Sequence, residues 1–438
     1  MDKELEDYAD RAWRGDEPLF AYYKGELRRD GLRLIDDGVW MWAATGNVYV
    51  FETADGLVLF DTGDRNTAAA LHEAVRARST APVVTAVYSH GHIDHVLGLS
   101  PFEAEAAERH DPGISVVAHA AVPERFARYR LTAGYNATVN RRQFRAPGIT
   151  WPTDYREPDR TYLDTLTLRH GDLTMELRHG RGETDDATMA WLPDRRILCC
   201  GDFYAWVAPN AGNPQKVRRH VAEWVRALRW MAGLGAEILL PGHGLPVVGA
   251  DRVRETLLGS ATLLSTLHDG VVAMMNEGRT LDEILHAPLV TPEVSALLAQ
   301  PWLRPTYDDP QFIVRTVWRT YGGWYDGDPA TVRPAPRADL AAEVAQLAGG
   351  ASRLAERALD AADRGRLDLA GHLAEWAALS APEDRDVQRA RADVFGRLAA
   401  GTPALMAQGI YTWAQAEAQA KADDVDPWST MRGGRWAP

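Results

Sequence analysis

Cysteine is almost missing from this sequence. Only Cys199 and Cys200 occur, adjacent in an apolar run whose strand geometry sends neighbouring side chains to opposite faces, so a disulfide between them is excluded and two buried thiols are expected. Positive charge is scarce as well: 48 Lys and Arg stand against 61 Asp and Glu, and the net charge of −13 is spread along the chain. That distribution leaves no basic patch of the kind a nucleic acid or an anionic membrane surface requires. No run reaches the roughly 18 consecutive apolar residues that would cross a bilayer. The opening MDKELEDYADRAW has neither the basic start nor the apolar stretch of a secretory signal. The expectation is a cytoplasmic protein without nucleic-acid or membrane partners.

What is present is ordinary globular text. At 438 residues, 46% hydrophobic and 25% charged, the chain is too long for one core and reads as two or three domains. Residues 38–63 alternate β-branched and aromatic side chains around an Ala-Asp-Gly turn and end at Asp61-Thr62-Gly63, which predicts hairpin strands. A helix over 67–78 and an apolar strand over 82–88 follow, and the polar stretch from His90 to His95 comes directly after, in a strand-to-helix loop. The same strand-then-polar-loop unit returns at 195–202 and at 236–244. Layered α/β folds assemble sites in this way, from loops at one sheet edge that are distant in sequence. Residues 252–300 read as helices, 301–336 as an ordered connector rich in Pro, Trp, Tyr and Gly, and 338–422 as helices of Ala, Leu, Arg and Glu. The expected divisions are a catalytic domain with an N-terminal extension over 1–265, a helical and aromatic connector over 266–337, an all-helical domain over 338–425 and a tail over 426–438.

The segment His90-Gly91-His92-Ile93-Asp94-His95 places three imidazoles and a carboxylate in one short stretch. Zinc and similar ions take nitrogen and oxygen ligands at about 2.0–2.2 Å, and alternation along an extended loop would aim His90 and His92 at one ion and the next pair at a second. Two such ions would acidify a shared water and polarise a substrate oxygen, so the cluster points to hydrolysis. His110, His119, His220 and His372 lie outside this series and read as surface or cap residues; Asp61 reads as a residue that orients a ligand loop, and Arg141-Arg142 as a solvated pair, with a place facing the cleft as the alternative.

His-X-His-X-Asp-His after an apolar strand, preceded by Asp61-Thr62-Gly63, resembles the metallo-β-lactamase superfamily over about 38–250. The resemblance implies an α/β fold, a four-layer αβ/βα sandwich, here followed by an all-α domain. It also implies two zinc ions, or other divalent metals, with His90, His92 and Glu183 on the first, Asp94, His95 and His243 on the second, and Asp202 between them. Glu183, in Gly182-Glu183-Thr184, stands where most members carry histidine, and this resembles the alkylsulfatase branch; His179 is the competing ligand. The stretch from Tyr321 to Pro329 and residues 338–422 resemble that branch's connector and helical dimerisation domain, which implies a homodimer. The sterol-carrier-like domain that often follows in the branch is not expected here.

The branch holds sulfate with an asparagine and an arginine past the bridging carboxylate, and with a tyrosine and a threonine before the connector. Asn210 and Tyr307 match, whereas the arginine position falls on Gln215 or Lys216, and Asp308-Asp309 would put a carboxylate where it repels sulfate. Lys216 is the expected replacement, with Arg218 or Arg219 as substitutes. The implied activity is hydrolysis of a small-molecule ester, first of all an alkyl sulfate, through a metal-bound hydroxide, with Asp94 and Asp202 as catalytic residues. A carboxylic ester, lactone or phosphoester is the alternative substrate. A mononuclear iron oxygenase or a non-catalytic adaptor on the same fold is the remote reading.

Overall fold

A computed structural model describes residues 1–17 and 31–426, so the expected tail lies outside the described residues beyond its first position. Two sheets form its centre. In the first, β1 (Arg33–Asp36), β2 (Val39–Trp42), β3 (Val48–Thr53), β4 (Gly56–Phe60), β5 (Val83–Val87), β6 (Ser115–His119) and β7 (Arg160–Tyr162) lie side by side in sequence order. Pairing is antiparallel as far as β4 and parallel from β4 to β7. The second sheet runs through β8 (Thr165–His170), β9 (Leu173–Gly180), β10 (Ala187–Leu192), β11 (Ile197–Gly201), β12 (Ile238–Pro241) and β13 (Val247–Val248), with β11 and β12 parallel.

Strand period explains the layers. In β4, Val58 and Phe60 face the core shared with the second sheet, where Met175, Leu177, Met189 and Leu198 lie, while Leu57 and Leu59 face a separate core under the outer helices. Both faces are covered, as parallel strands require. Each such buried Val, Leu or Phe contributes roughly 1.5–3 kcal/mol of transfer free energy. Cys199 and Cys200 are buried and free, as the run around them implied.

Among the described residues the helices, in chain order, are α1 (Lys3–Arg14), α2 (Ala68–Arg76), α3 (Ile93–Val96), α4 (Ser100–Arg109), α5 (Val122–Leu131), α6 (Ala133–Phe144), α7 (Val221–Ala232), α8 (Ala250–Asn276), α9 (Leu281–Leu285), α10 (Pro292–Leu298) and α11 (Pro310–Tyr321). An all-helical part follows: α12 (Arg337–Ala348), α13 (Ala351–Asp363), α14 (Leu367–Ser380), α15 (Arg385–Gly401) and α16 (Leu405–Asp423). The architecture is therefore the mixed α/β sandwich with a C-terminal helical domain.

One detail differs from the sequence reading, and two more describe the expected divisions. Asp94 and His95 stand on the short helix α3 and not on an extended loop. The 27-residue α8 runs unbroken across position 265. It is long and apolar enough, by length and composition, to cross a membrane, yet Val253, Leu257, Leu264 and Val271 pack it into the main core. Finally, the expected connector contains α11, whose N-cap is Asp309.

The helical part returns to the α/β part. The Leu405 N–H bonds the Thr306 carbonyl at 3.0 Å and the Met406 N–H bonds the Tyr307 carbonyl at 3.3 Å. Gly409 of α16 lies against the carbonyls of Arg142 and Gln143 at the end of α6, so close that a Cβ there would overlap the Gln143 oxygen. A side chain at 409 is therefore incompatible with this packing.

Candidate metal centre

The polar loops after β5, β11 and β12 meet at one edge of the sandwich. His90 leaves β5 with Nδ1 2.9 Å from Ser89 Oγ, which turns Nε2 inward to 2.7 Å from His92 Nδ1 and 3.5 Å from Asp202 Oδ2. His95 is oriented by Asp61, with 2.7 Å between Nδ1 and Oδ2; the other Asp61 oxygen accepts the Ser89 N–H at 2.6 Å. His243 hydrogen-bonds the Thr45 carbonyl through Nδ1. A carbonyl only accepts, so this nitrogen carries the proton and Nε2 is left free to ligate. Asn47 holds the same loop by donating to the carbonyls of Pro241 at 3.0 Å and Gly244 at 2.9 Å. Gly242 is required because a Cβ would overlap Asp202 Oδ1.

Six of the seven expected ligands thus come together, in two groups: His90, His92 and Asp202, and Asp94, His95 and His243. Asp202 stands between them, Oδ2 toward His90 and Oδ1 at 3.3 Å from His243 Nε2 and 3.5 Å from His95 Nε2. Asp94 Oδ2 lies 3.6 Å from His243 Nε2 and 3.7 Å from His95 Nε2. Donors arranged tetrahedrally at about 2.0–2.2 Å from an ion are roughly 3.3–3.6 Å apart, so the second group fits a divalent cation. Electrostatics agree. Burial pulls an imidazole toward neutrality, yet Asp202 with Asp61 and Asp94 pushes His95 up to about 10, and Asp202 with Asp94 pushes His243 up to about 9. The carboxylates demand positive charge at that spot. His90 and His92 are pulled down by burial and by neighbouring cations.

Glu183 stands outside both groups. Its Oε1 accepts from Asn210 Nδ2 at 2.6 Å and from Arg219 Nη2 at 2.8 Å, and burial raises its carboxyl to about 7 against the pull of Arg219. The charges of Asp202 and Asp94 contribute to the same rise. His179 is not there: its ring stacks on His119 at 3.6 Å and its Nδ1 pairs with the Ala187 carbonyl.

The expected substrate contacts are partly rearranged. Lys216 lies over the Trp151 ring and donates to Asn140 Oδ1 at 3.3 Å; Tyr307 OH accepts from Gln143 Nε2 at 3.3 Å. The repulsive carboxylate does not materialise. Asp309 caps α11 by accepting from the Gln311 N–H, and Asp308 is enclosed, accepting from the Gly212 and Asp309 N–H groups. Arg219 is buried on Glu183, Arg218 is exposed, and Arg142 is not solvated but bonded to Gln215 at 2.8 Å.

Several supporting residues went unread in the sequence. Asp186 accepts the Gly91 N–H at 3.1 Å and pairs with buried Arg125 at 2.6 Å, pinning the first histidine loop. Asn140 and Gln143 look like ordinary helix surface; only their burial on α6 reveals them.

The sequence profile of the metallo-β-lactamase superfamily matches residues 42–243. That stretch is similar to a metallo-β-lactamase domain. A second profile, alkyl sulfatase dimerisation, matches residues 280–421. Among relatives, a linear primary-alkylsulfatase from a Pseudomonas species is 26% identical over 372 residues, covering 80% of this chain and 69% of the relative. An (R)-specific secondary-alkylsulfatase from Pseudomonas sp. is 26% identical, covering 83% and 58% respectively. An alkyl/aryl-sulfatase of Saccharomyces cerevisiae is 23% identical, covering 84% and 60%. The chain therefore spans between 58% and 69% of the length of these relatives. In fold, this chain resembles the stereoselective inverting sec-alkylsulfatase Pisa1 from Pseudomonas sp., with a TM-score of 0.78 at 22% identity, over 90% of this chain and 66% of that one.

Proposed function

We propose that this chain is a dinuclear metal-dependent hydrolase of a sulfate ester of an organic alcohol. The observation that carries the reading is Asp202, whose two oxygens face two separate histidine-bearing donor groups. His90, His92 and Glu183 would hold one divalent ion, zinc by donor type, and Asp94, His95 and His243 the other, with Asp202 shared. Bound there, such ions acidify water toward neutrality and draw charge from the ester oxygen.

The chain's own residues do the rest. Asp61 and the Thr45 carbonyl hold the proton on Nδ1 of His95 and His243, keeping each ring aimed. Tyr307 is kept a neutral hydroxyl by burial and by the Glu183 and Asp94 charges. Because its oxygen already accepts from Gln143, its proton is available to an ester oxygen. Asn210 and Lys216 complete the polar side of the cleft. The alkylsulfatase names of the relatives support sulfate as the leaving group, and the match to a dimerisation family supports a homodimer through the helical part.

The test is metal content per chain, measured alongside hydrolysis of a primary alkyl sulfate, a secondary alkyl sulfate, an aryl phosphodiester and a lactone. Two ions per chain with release of inorganic sulfate is the expected result. Turnover of the lactone or phosphodiester alone would discard the sulfate-ester reading, and full activity without bound metal would discard the mechanism.

A further inference from the structure

Half-buried Arg142, near the end of α6, donates from Nη1 to Gln215 Oε1 at 2.8 Å. One residue along the same loop, Lys216 donates to Asn140, also on α6, and lies 5.5 Å from the centre of the Trp151 ring. Neither cation meets a carboxylate among the described residues, and neither do half-buried Arg141 and Arg145 beside them. In a chain with surplus acid this is conspicuous. Other cations buried to a comparable degree, such as Arg76, Arg125, Arg156, Arg219 and Arg391, are ion-paired, while Arg128 lies over the Tyr129 ring. Buried donors of the same wall also lack acceptors, namely Gln215 Nε2 and Arg145 Nε.

The loop that carries Gln215 and Lys216 is tied to Glu183 on both sides, by Asn210 Nδ2 at 2.6 Å and by Arg219 Nη2 at 2.8 Å. Cations without a carboxylate partner and unfilled donors, gathered near residues that would hold metal cations, are complementary to an oxyanion with several lone pairs.

We infer that Arg142 is a specificity-determining residue that receives the anionic head group of the ester, with Gln215 orienting its guanidinium and Lys216 supplying the second charge. This rests on the hydrolase reading above and adds a contact from α6, outside the loop in which the charge was sought. A guanidinium offers a planar fork to two oxygens at once, which the neutral amide at 215 cannot do. The Gln215 amide also leaves its own N–H group for a third oxygen.

The experiment uses the full-length, zinc-loaded protein. Binding of inorganic sulfate is measured calorimetrically, and KM and kcat are measured for a primary alkyl sulfate and for an uncharged carboxylic ester of the same alcohol. Arg142→Gln should weaken sulfate binding and raise KM for the alkyl sulfate by about tenfold, leave any turnover of the uncharged ester unchanged, and keep metal content and melting temperature. Arg142→Lys, which keeps the charge without the fork, should recover part of the loss and carries the test if the glutamine variant folds poorly. Sulfate affinity within about twofold of the parent in both variants would overturn the inference, as would a parent protein that binds no sulfate. If the parent binds sulfate through Arg142 but hydrolyses no alkyl sulfate, the anion site stands and the sulfate-ester reading falls.

Discussion

Asp61 Oδ2 sits 2.7 Å from His95 Nδ1, inside a core where both side chains are essentially inaccessible. Asp61 adopts a left-handed backbone conformation, φ 62°, to make this contact and the Ser89 one together. Removing the carboxylate frees the ring and its tautomer. Asp61→Ala should therefore weaken binding of the second ion by about 10–100-fold while the first is retained, as read by chelator competition. Equal affinity at both sites in this variant would show that the contact serves folding alone.

Glu183 and His179 competed for one role on sequence grounds, and a pair of variants separates them. Glu183→Gln should weaken the first ion by about 10–100-fold. His179→Ala should leave metal content unchanged, because that ring is engaged with His119 and the Ala187 carbonyl. The reverse pattern would transfer the ligand role to His179.

A pH dependence follows from Lys216. Its ammonium titrates near 8, pulled down by burial and Arg219 and supported by Glu183 and Asp94. The charged form attracts an anionic ester, so the alkaline limb of kcat/KM, which reports the free enzyme, should fall as pH rises through about 8. In Lys216→Arg the charge persists and the fall should move to higher pH. An unchanged profile would remove Lys216 from the site.

Buried Arg125 is held by Asp186 at 2.6 Å and also meets Asp185. Asp186→Ala would leave a guanidinium short of its innermost partner and release the Gly91 N–H. A loss of about 3–5 kcal/mol of stability is expected in chemical denaturation. A loss below about 1 kcal/mol would mean that Asp185 alone suffices.

Gly409 ties the helical part to the wall of the cleft. Gly409→Ala should push α16 away from the Gln143 carbonyl, costing about 1–3 kcal/mol by overpacking. Because α16 also bonds the Tyr307 backbone, KM should rise in the same variant. A change in stability with KM unaltered would separate the two effects.

The sequence by itself determined the strand-and-loop pattern of the α/β part and the grouping of its candidate metal ligands, because both are written locally. Strand alternation around β4, the run from His90 to His95 and the glycine-bearing loops at Asp202 and His243 depend on residues a few positions apart, where chain geometry leaves little choice. Tertiary structure alone decided what the remaining polar groups do. Asp309 reads as a repulsive carboxylate until the start of α11 takes it as a cap. Arg142 reads as solvated until α6 is laid against the loop bearing Gln215, 73 positions away. Glu183, matched to the ligands by its place in the loop order, is drawn toward Asn210 and Arg219, whose reach depends on loop paths that no period encodes. A side chain's charge is a local property, but its partner is set by which surfaces the core brings together, and that is decided only when the layers pack.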